Sequence, residues 1–405
     1  MAGRHRALLW ALLALAAVPS QAQAVTEFPV PTPVSQPAGI TAGPDGAVWF
    51  TEENAHKIGR ITMSGAITEY PVPTNPSVPS EITAGPDGAL WFTEFGANPP
   101  KIGRVTTTGA FTEFELPPGS GPDGITAGPD GALWFTENGT NKIGRITTAG
   151  AITEYPLPNG FRPGDITPGP DGRLWFTESE ANKIGAITTA GNITEYDLPP
   201  GTDPSGIAAS AGAMWFTEFG ANQIGRISTV GIPITHFGPT GSGPSGITFG
   251  SDGALWFTET GADKIGRMTT SGSVSEFTIP TSFSEPGGIV PGPDGALWFT
   301  EFQGNKIGRI EVASPSSSPA AYAALPLGPR LSITAGLNKS SSGGKKCRIP
   351  AVRGLNIKKA RKKLRRAGCR YRLRGKGRVV SVKPKAGTRT SKIVQLKAKR
   401  ARRAR

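Results

Sequence analysis

The chain has 405 residues, of which 55 are Gly and 38 are Pro, with 18% charged residues and four Met. So many helix breakers exclude a helical bundle, while a hydrophobic content of 37% and evenly spaced Trp exclude a wholly disordered chain. The net charge of +14 hides a split: from Arg330 onward there are 28 Lys and Arg and no Asp or Glu, which leaves 16 basic against 30 acidic residues before it, a net of −14. An acidic body precedes a basic tail, and each needs its own explanation.

Residues 1–24 read as a secretory signal peptide. Arg4 and Arg6 give a positive start, Ala7 to Val18 is apolar, and Ala22-Gln23-Ala24 is a small-x-small cleavage site before Val25. The apolar run of 12 residues falls short of the ~20 needed to span a bilayer. No other stretch is apolar enough to span. A secreted mature protein is expected, in a compartment where disulfides persist.

The body, 25–313, is one unit repeated seven times. Trp recurs at 49, 91, 134, 175, 215, 256 and 298, and a period near 40 made of short apolar runs signals a propeller or solenoid. From Gly124 one repeat reads GITAGPDGALWFTENGTNKIGRITTAGAITEYPLP. It parses into strands A (Gly-Ile-Thr-Ala), B (Ala-Leu-Trp-Phe-Thr-Glu), C (Lys-Ile-Gly-Arg-Ile-Thr) and D (Ile-Thr-Glu-Tyr). Gly-Pro-Asp-Gly makes the A–B turn. Four strands per repeat and seven repeats predict an all-β, seven-bladed propeller. The seventh repeat stops after strand C at Val312, and Val25-Thr26-Glu27-Phe28-Pro29-Val30 at the other end matches strand D. The N-terminal strand is therefore expected to complete the last blade and close the ring.

In such a ring strand A lines the central channel, and the B–C and D–A connections share one face. The Glu ending strand B recurs in every blade (Glu52, Glu94, Glu137, Glu178, Glu218, Glu259, Glu301). It is read either as a carboxylate-lined channel mouth for a cation or as the cross-strand partner of the Lys opening strand C (Lys57, Lys101, Lys142, Lys183, Lys264, Lys306), and its repetition favours pairing. The Trp series is read as core between blades. After signal cleavage only His56, in a B–C loop, and His236, replacing the strand D Glu of blade five, remain. His236 is read as solvent-exposed. Neither a Ser-His-Asp constellation nor a zinc-type cluster is visible.

The seven WFTE…NKIGRIT…GAITEYPLP repeats resemble the streptogramin B lyase (virginiamycin B lyase) family over roughly Val25 to Ala313. The resemblance implies a seven-bladed propeller that opens a cyclic depsipeptide by magnesium-dependent elimination, with a site on blades six and seven. It places the metal-binding carboxylates on Glu285 and Glu301, so Mg²⁺ is the implied cofactor. It places the family's two histidines on Ser245 and Gly287, where neither is present. Elimination needs a base for the proton α to the carbonyl, and Ser and Gly supply none. The propeller is therefore read as a platform for a small-molecule or peptide ligand at its channel mouth, with a magnesium-dependent carbon–oxygen lyase as the alternative.

Residues 314–344 form a Ser/Pro/Gly-rich linker. In 345–398, Arg348-Ile349-Pro350, a helix over Ile357 to Ala367, and runs at 378–382 and 393–396 give the order strand, helix, strand, strand, followed by a basic end, 399–405. The run Ile349-Pro350…Gly354…Ala360…Leu364…Ala367-Gly368…Pro384-Lys385-Ala386-Gly387-Thr388 resembles a PASTA domain. That resemblance implies attachment to peptidoglycan or an anionic envelope polymer. Cys347 and Cys369 flank the first strand–helix pair, and in an exported protein a disulfide between them is expected. With Tyr371 the one aromatic there, base stacking is poorly supplied, which weighs against nucleic acid. A monomer at the cell envelope is expected.

Overall fold

A computed structural model describes residues 24–312 except 159, 160, 211 and 232, together with five C-terminal strand segments. The expected signal peptide up to residue 23, the expected linker, the helix expected over 357–367 and Cys369 of the expected disulfide lie outside the described residues. No described helix is long and apolar enough to cross a membrane.

Each repeat folds as a four-stranded antiparallel sheet, and seven such sheets form the propeller. In blade one the strands are Pro37–Ala42 (A), Val48–Glu52 (B), Lys57–Ile61 (C) and Ile67–Pro71 (D). Strand B carries the core: Val48, Trp49 and Phe50 are fully buried, as are their counterparts in other blades. Trp49 packs against Ile82, Leu90 and Phe92 of the following blade, so the Trp series seals the blade interfaces. Its ring stacks on Tyr70 of strand D at 5.5 Å. Its Nε1–H donates to Asp45 of the Gly-Pro-Asp-Gly turn at 3.0 Å, and Arg60 of strand C donates to the same carboxylate at 2.7 Å. The turn Asp is thus a fastener between strands as well as a turn residue. Blade four lacks the strand C arginine (Ala186), and Arg173 of the turn replaces it, 4.5 Å from the Trp175 ring. Gly59 of strand C leaves room for the Phe50 ring, which a Cβ there would strike.

The ring closes as expected. Val25–Pro29 pairs antiparallel with strand C of the last blade, from Val25 opposite Ile310 to Pro29 opposite Lys306. Closure buries an edge that would otherwise present unpaired backbone groups.

The chain divides into two compact units, Met1–Ala320 and Ala321–Arg405. In the second, Cys347–Arg348 pairs with Arg389–Thr390, and Val394–Lys399 lies between Tyr371–Arg374 (parallel) and Arg378–Lys383 (antiparallel). The strands near 380 and 395 match the sequence expectation. Tyr371–Arg374 was not anticipated, because Tyr-Arg-Leu-Arg is too short and basic to stand out.

Candidate functional site

Strand A starts at its Pro, two residues earlier than its apolar run, and in every blade it bulges immediately. In blade two Pro79 pairs with Glu94 and Ile82 with Phe92, so Ser80 and Glu81 together oppose Thr93. The same shift occurs at Pro37, Pro122, Pro163, Pro204, Pro244 and Pro286. A bulge re-aims side chains out of the sheet alternation, and here it turns two residues per blade toward the channel. The strand B Thr holds it. Thr93 Oγ1 accepts the Glu81 N–H at 3.1 Å and donates to the Asp123 carbonyl of the next blade at 2.8 Å. Thr300 repeats the donation to Ala38 at 2.7 Å, across the closure.

These bulges and the B–C and D–A connections enclose a cavity of about 530 Å³ on the channel face. Blades one to four contribute the carboxyls of Glu53, Glu81, Asp123 and Asp165; blades five to seven contribute small residues, among them Ser205, Ser245 and Gly287, with Phe219 and Phe302, and two further acids, Asp203 and Glu285, immediately before the strand A Pro of blades five and seven. Among the described residues no Lys, Arg or His lines it. The carboxyls of blades one to four sit inside a ring of protein and feel one another's charge. Burial, then Asp123, pushes Glu53 up to about 7. Burial lifts Asp165 to about 7 despite N–H bonds from Ile207 and Ile166, with Asp123 adding to the shift. Glu81 rises well above the usual range through burial, then Asp165, Asp123 and Glu53. This acidic half escaped the sequence reading. The signal was present, because the two residues between the strand A Pro and Ile read SE, DG and GD in blades two to four. Their channel-facing geometry follows only from the bulge.

The Glu series at the end of strand B has neither expected role. All seven side chains are fully buried, and none lines the cavity. Nor do the strand C lysines bind them: Lys57 Nζ goes to Glu69 of strand D at 3.0 Å and Lys306 to Glu27 at 2.7 Å, although Glu52 and Lys57 are direct register partners. Lys57 also donates to Thr32 of the incoming D–A connection, and Glu69 accepts the Thr32 N–H, so the pair clamps that loop. Sealed from water, these carboxyls are driven up, and in Glu52, Glu94, Glu178 and Glu301 neither oxygen has a hydrogen-bond partner. Burial, then Glu113, lifts Glu94 to about 8.

Both described histidines make contacts within the fold. His56 has a left-handed backbone (φ 53°) and its Nδ1 accepts the Val78 N–H at 3.2 Å. Asn182, Asn222 and Asp263 do the same in their blades. His236 is more than a solvated rim residue. Its Nδ1 lies 2.8 Å from the buried Glu218, with 29% of the side chain exposed, and Gln223 stands where other blades have the lysine.

Glu285 is exposed and lines the cavity, with a left-handed backbone (φ 47°) of the kind found before the strand A Pro in every blade. Glu301 is fully buried, with both oxygens unpartnered and burial, then Glu27, pushing it up to about 8. One carboxyl faces water and the other is sealed below the wall. The same orphaned oxygens recur at Glu52, Glu94 and Glu178, so they are a property of the repeat. No group of three His, Cys, Asp or Glu able to hold a metal ion occurs among the described residues. The pair as placed does not fit magnesium. Ser245 and Gly287 both sit in bulges on the cavity wall, so the two histidine positions face the site and offer it no base.

The family model "Virginiamycin B lyase family" matches residues 18–210 and 208–328, and the PASTA domain model matches 348–397. A solved structure described as a streptogramin B lyase is 44% identical, with a TM-score of 0.67 over 71% of this chain and 97% of that one. A catalytically inactive histidine-to-alanine variant of virginiamycin B lyase from Staphylococcus aureus, solved with quinupristin, matches at the same identity and TM-score, over 71% of this chain and 99% of that one. The virginiamycin B lyase of Bacillus licheniformis is 49% identical over 41 residues, which is 10% of this chain and only 14% of that protein's length. With both matched segments on the propeller described above, the chain belongs to the virginiamycin B lyase family and carries a PASTA domain after the propeller.

Proposed function

We propose that the propeller is a ligand-binding platform rather than an active lyase, in an exported protein that its PASTA domain holds at the cell envelope. One observation carries the reading. Ser245 and Gly287 stand on the cavity wall where the family resemblance places histidines, and no histidine of this chain lines that wall among the described residues. Elimination at an ester removes a proton α to the carbonyl, and a positioned base typically contributes ~10²–10⁴-fold to such a step. In the Staphylococcus aureus relative, a histidine-to-alanine variant is inactive. Serine is no base near neutral pH, and the carboxyls nearest protonation change, Glu53 and Asp165, stand on blades one and four and not at the two positions on blades six and seven. What remains is a pocket of ligand size on a rigid ring.

The PASTA match and the basic composition from Arg330 onward support envelope attachment through peptidoglycan or an anionic polymer. Cell fractionation tests it. The intact protein is expected in the envelope fraction, and deletion of 345–405 is expected to release the propeller to the medium. Equal retention of both, or a cytoplasmic mature protein, overturns the attachment.

A further inference from the structure

The cavity wall leaves a ligand chemistry to be named, and the loops around it supply the second observation. Six large apolar side chains are exposed among the described residues: Val34, Phe95, Phe161, Phe219, Val230 and Phe283. All but Val230 lie in B–C or D–A connections, and strand alternation puts both kinds of connection on the face where the cavity opens. Phe219, 43% exposed, is also part of the cavity wall, and Phe283, 83% exposed, immediately precedes the Ser284–Glu285 approach to it. Exposed aromatics gathered on one face mark a binding surface rather than random leftovers.

We propose that this face binds a cationic peptide, whose amine or guanidinium groups enter the carboxylate half of the cavity and whose apolar side chains rest on the surrounding phenylalanines. This rests on the binding-platform reading and names its ligand. Three features select it. The lining has six carboxyls (Glu53, Glu81, Asp123, Asp165, Asp203 and Glu285) and, among the described residues, no basic side chain to answer them. The charge before Arg330 is −14, which steers cations toward this unit. The carboxyls are spread over the bulges of blades two to four and the connections of blades one, five and seven, and are not grouped to hold a metal ion among the described residues, so they match an extended cation better than a chelated one. The apolar positions are distributed around the ring, from the connection into blade one (Val34) to that into blade seven (Phe283). Only a chain can touch several at once, which favours a peptide over a small amine.

The electrostatics then set a pH dependence. With no cation present, Glu53 and Asp165 are raised to about 7 and Glu81 well above the usual carboxylate range, each by burial and by its neighbours. A bound cation favours their ionised forms. Binding must therefore release protons, and it strengthens as pH rises from 6 to 8.

Isothermal titration calorimetry on the full chain tests this. The probe is a synthetic amidated peptide alternating Lys and Leu, run beside a Ser–Leu peptide and a Lys–Gly peptide of equal length. Saturable binding of the Lys–Leu peptide is expected, weakened at least tenfold in Glu81→Gln/Asp165→Asn, whose amides keep the shape and remove the charge. Phe219→Ser is expected to weaken the Lys–Leu peptide several-fold and to leave the Lys–Gly peptide unchanged. Circular dichroism melts of each variant establish that it is folded, and Phe219→Ser on an exposed side chain serves if the double variant is not. Absence of a Lys–Leu isotherm, equal binding by the double variant, or equally tight Ser–Leu binding overturns the inference. Mass spectrometry of a cyclic depsipeptide incubated with the same protein separates the two readings. A linear product sinks the platform and leaves the isotherm standing, whereas an absent isotherm without product sinks only the peptide.

Discussion

At Glu94 both carboxyl oxygens are sealed from water without a hydrogen-bond partner, and burial next to Glu113 makes the bound proton part of the folded state. The folded pKa, about 8, lies above the ordinary carboxylate value of 4.5. Its contribution is therefore complete below 4.5 and is lost as pH rises toward 8, on the order of 4 kcal/mol for a shift of this size. Turn carboxylates work in the opposite direction. Burial opposes Asp87, but hydrogen bonds from Trp91 and Arg104 outweigh it and lower its pKa, so stability falls again in strong acid. The expected outcome is a melting temperature that peaks in mild acid and declines steadily to pH 9. Glu94→Gln should flatten that decline while leaving the melt at pH 5 nearly unchanged. A wild-type melting temperature that climbs from pH 5 to 9 would refute the neutral-carboxyl picture. The repeat announced these glutamates but misassigned their partner. Glu52 and Lys57 do oppose each other in register, yet the lysine nitrogen reaches on to Glu69, where Thr32 meets it, and a contact to an incoming loop has no fixed spacing in the sequence.

Strand A shows where element boundaries read from apolar runs fall short. The Gly-Ile-Thr-Ala core of the strand was legible, and the Pro-x before it was left outside the strand. Pairing adds those residues as a bulge, two against one Thr, which turns them inward. The functional wall therefore lies in the part of the strand that periodicity assigns to nothing. Thr93 is its support, accepting from Glu81 and donating to Asp123 in the neighbouring blade. Replacing it by Val removes both bonds and leaves a buried N–H and carbonyl short of partners. A loss of about 1–3 kcal/mol in urea denaturation is expected, with the m-value unchanged. An unaltered midpoint would mean that strand pairing alone holds the bulge.

For the whole molecule, the seven tryptophans, the orphan strand D motif at Val25 and the unfinished last repeat were enough to specify a closed ring, because each depends on sequence spacing alone. The PASTA motif and the charge split were legible for the same reason. The asymmetry of the channel was not. It arises when seven bulges face one another, with acids in those of blades two to four and small residues in the others, while Glu53, Asp203 and Glu285 reach the wall from the connections. Family membership supplies a scaffold, and function is decided by the side chains set into it; the binding-platform proposal rests on Ser245 and Gly287. A Cβ at Gly287 would meet only Thr300 Oγ1, at 3.1 Å, and the Ala38 carbonyl, at 3.8 Å, so the backbone there leaves room for a side chain to start, and a Ser245→His/Gly287→His variant serves as the comparison. The most direct measurement is mass spectrometry of a cyclic streptogramin-type depsipeptide incubated with purified protein and Mg²⁺. The account predicts an intact ring with the wild type, and any gain confined to the two-histidine variant. A linear product of unchanged mass, formed by the wild type and abolished by chelating the metal, would contradict it.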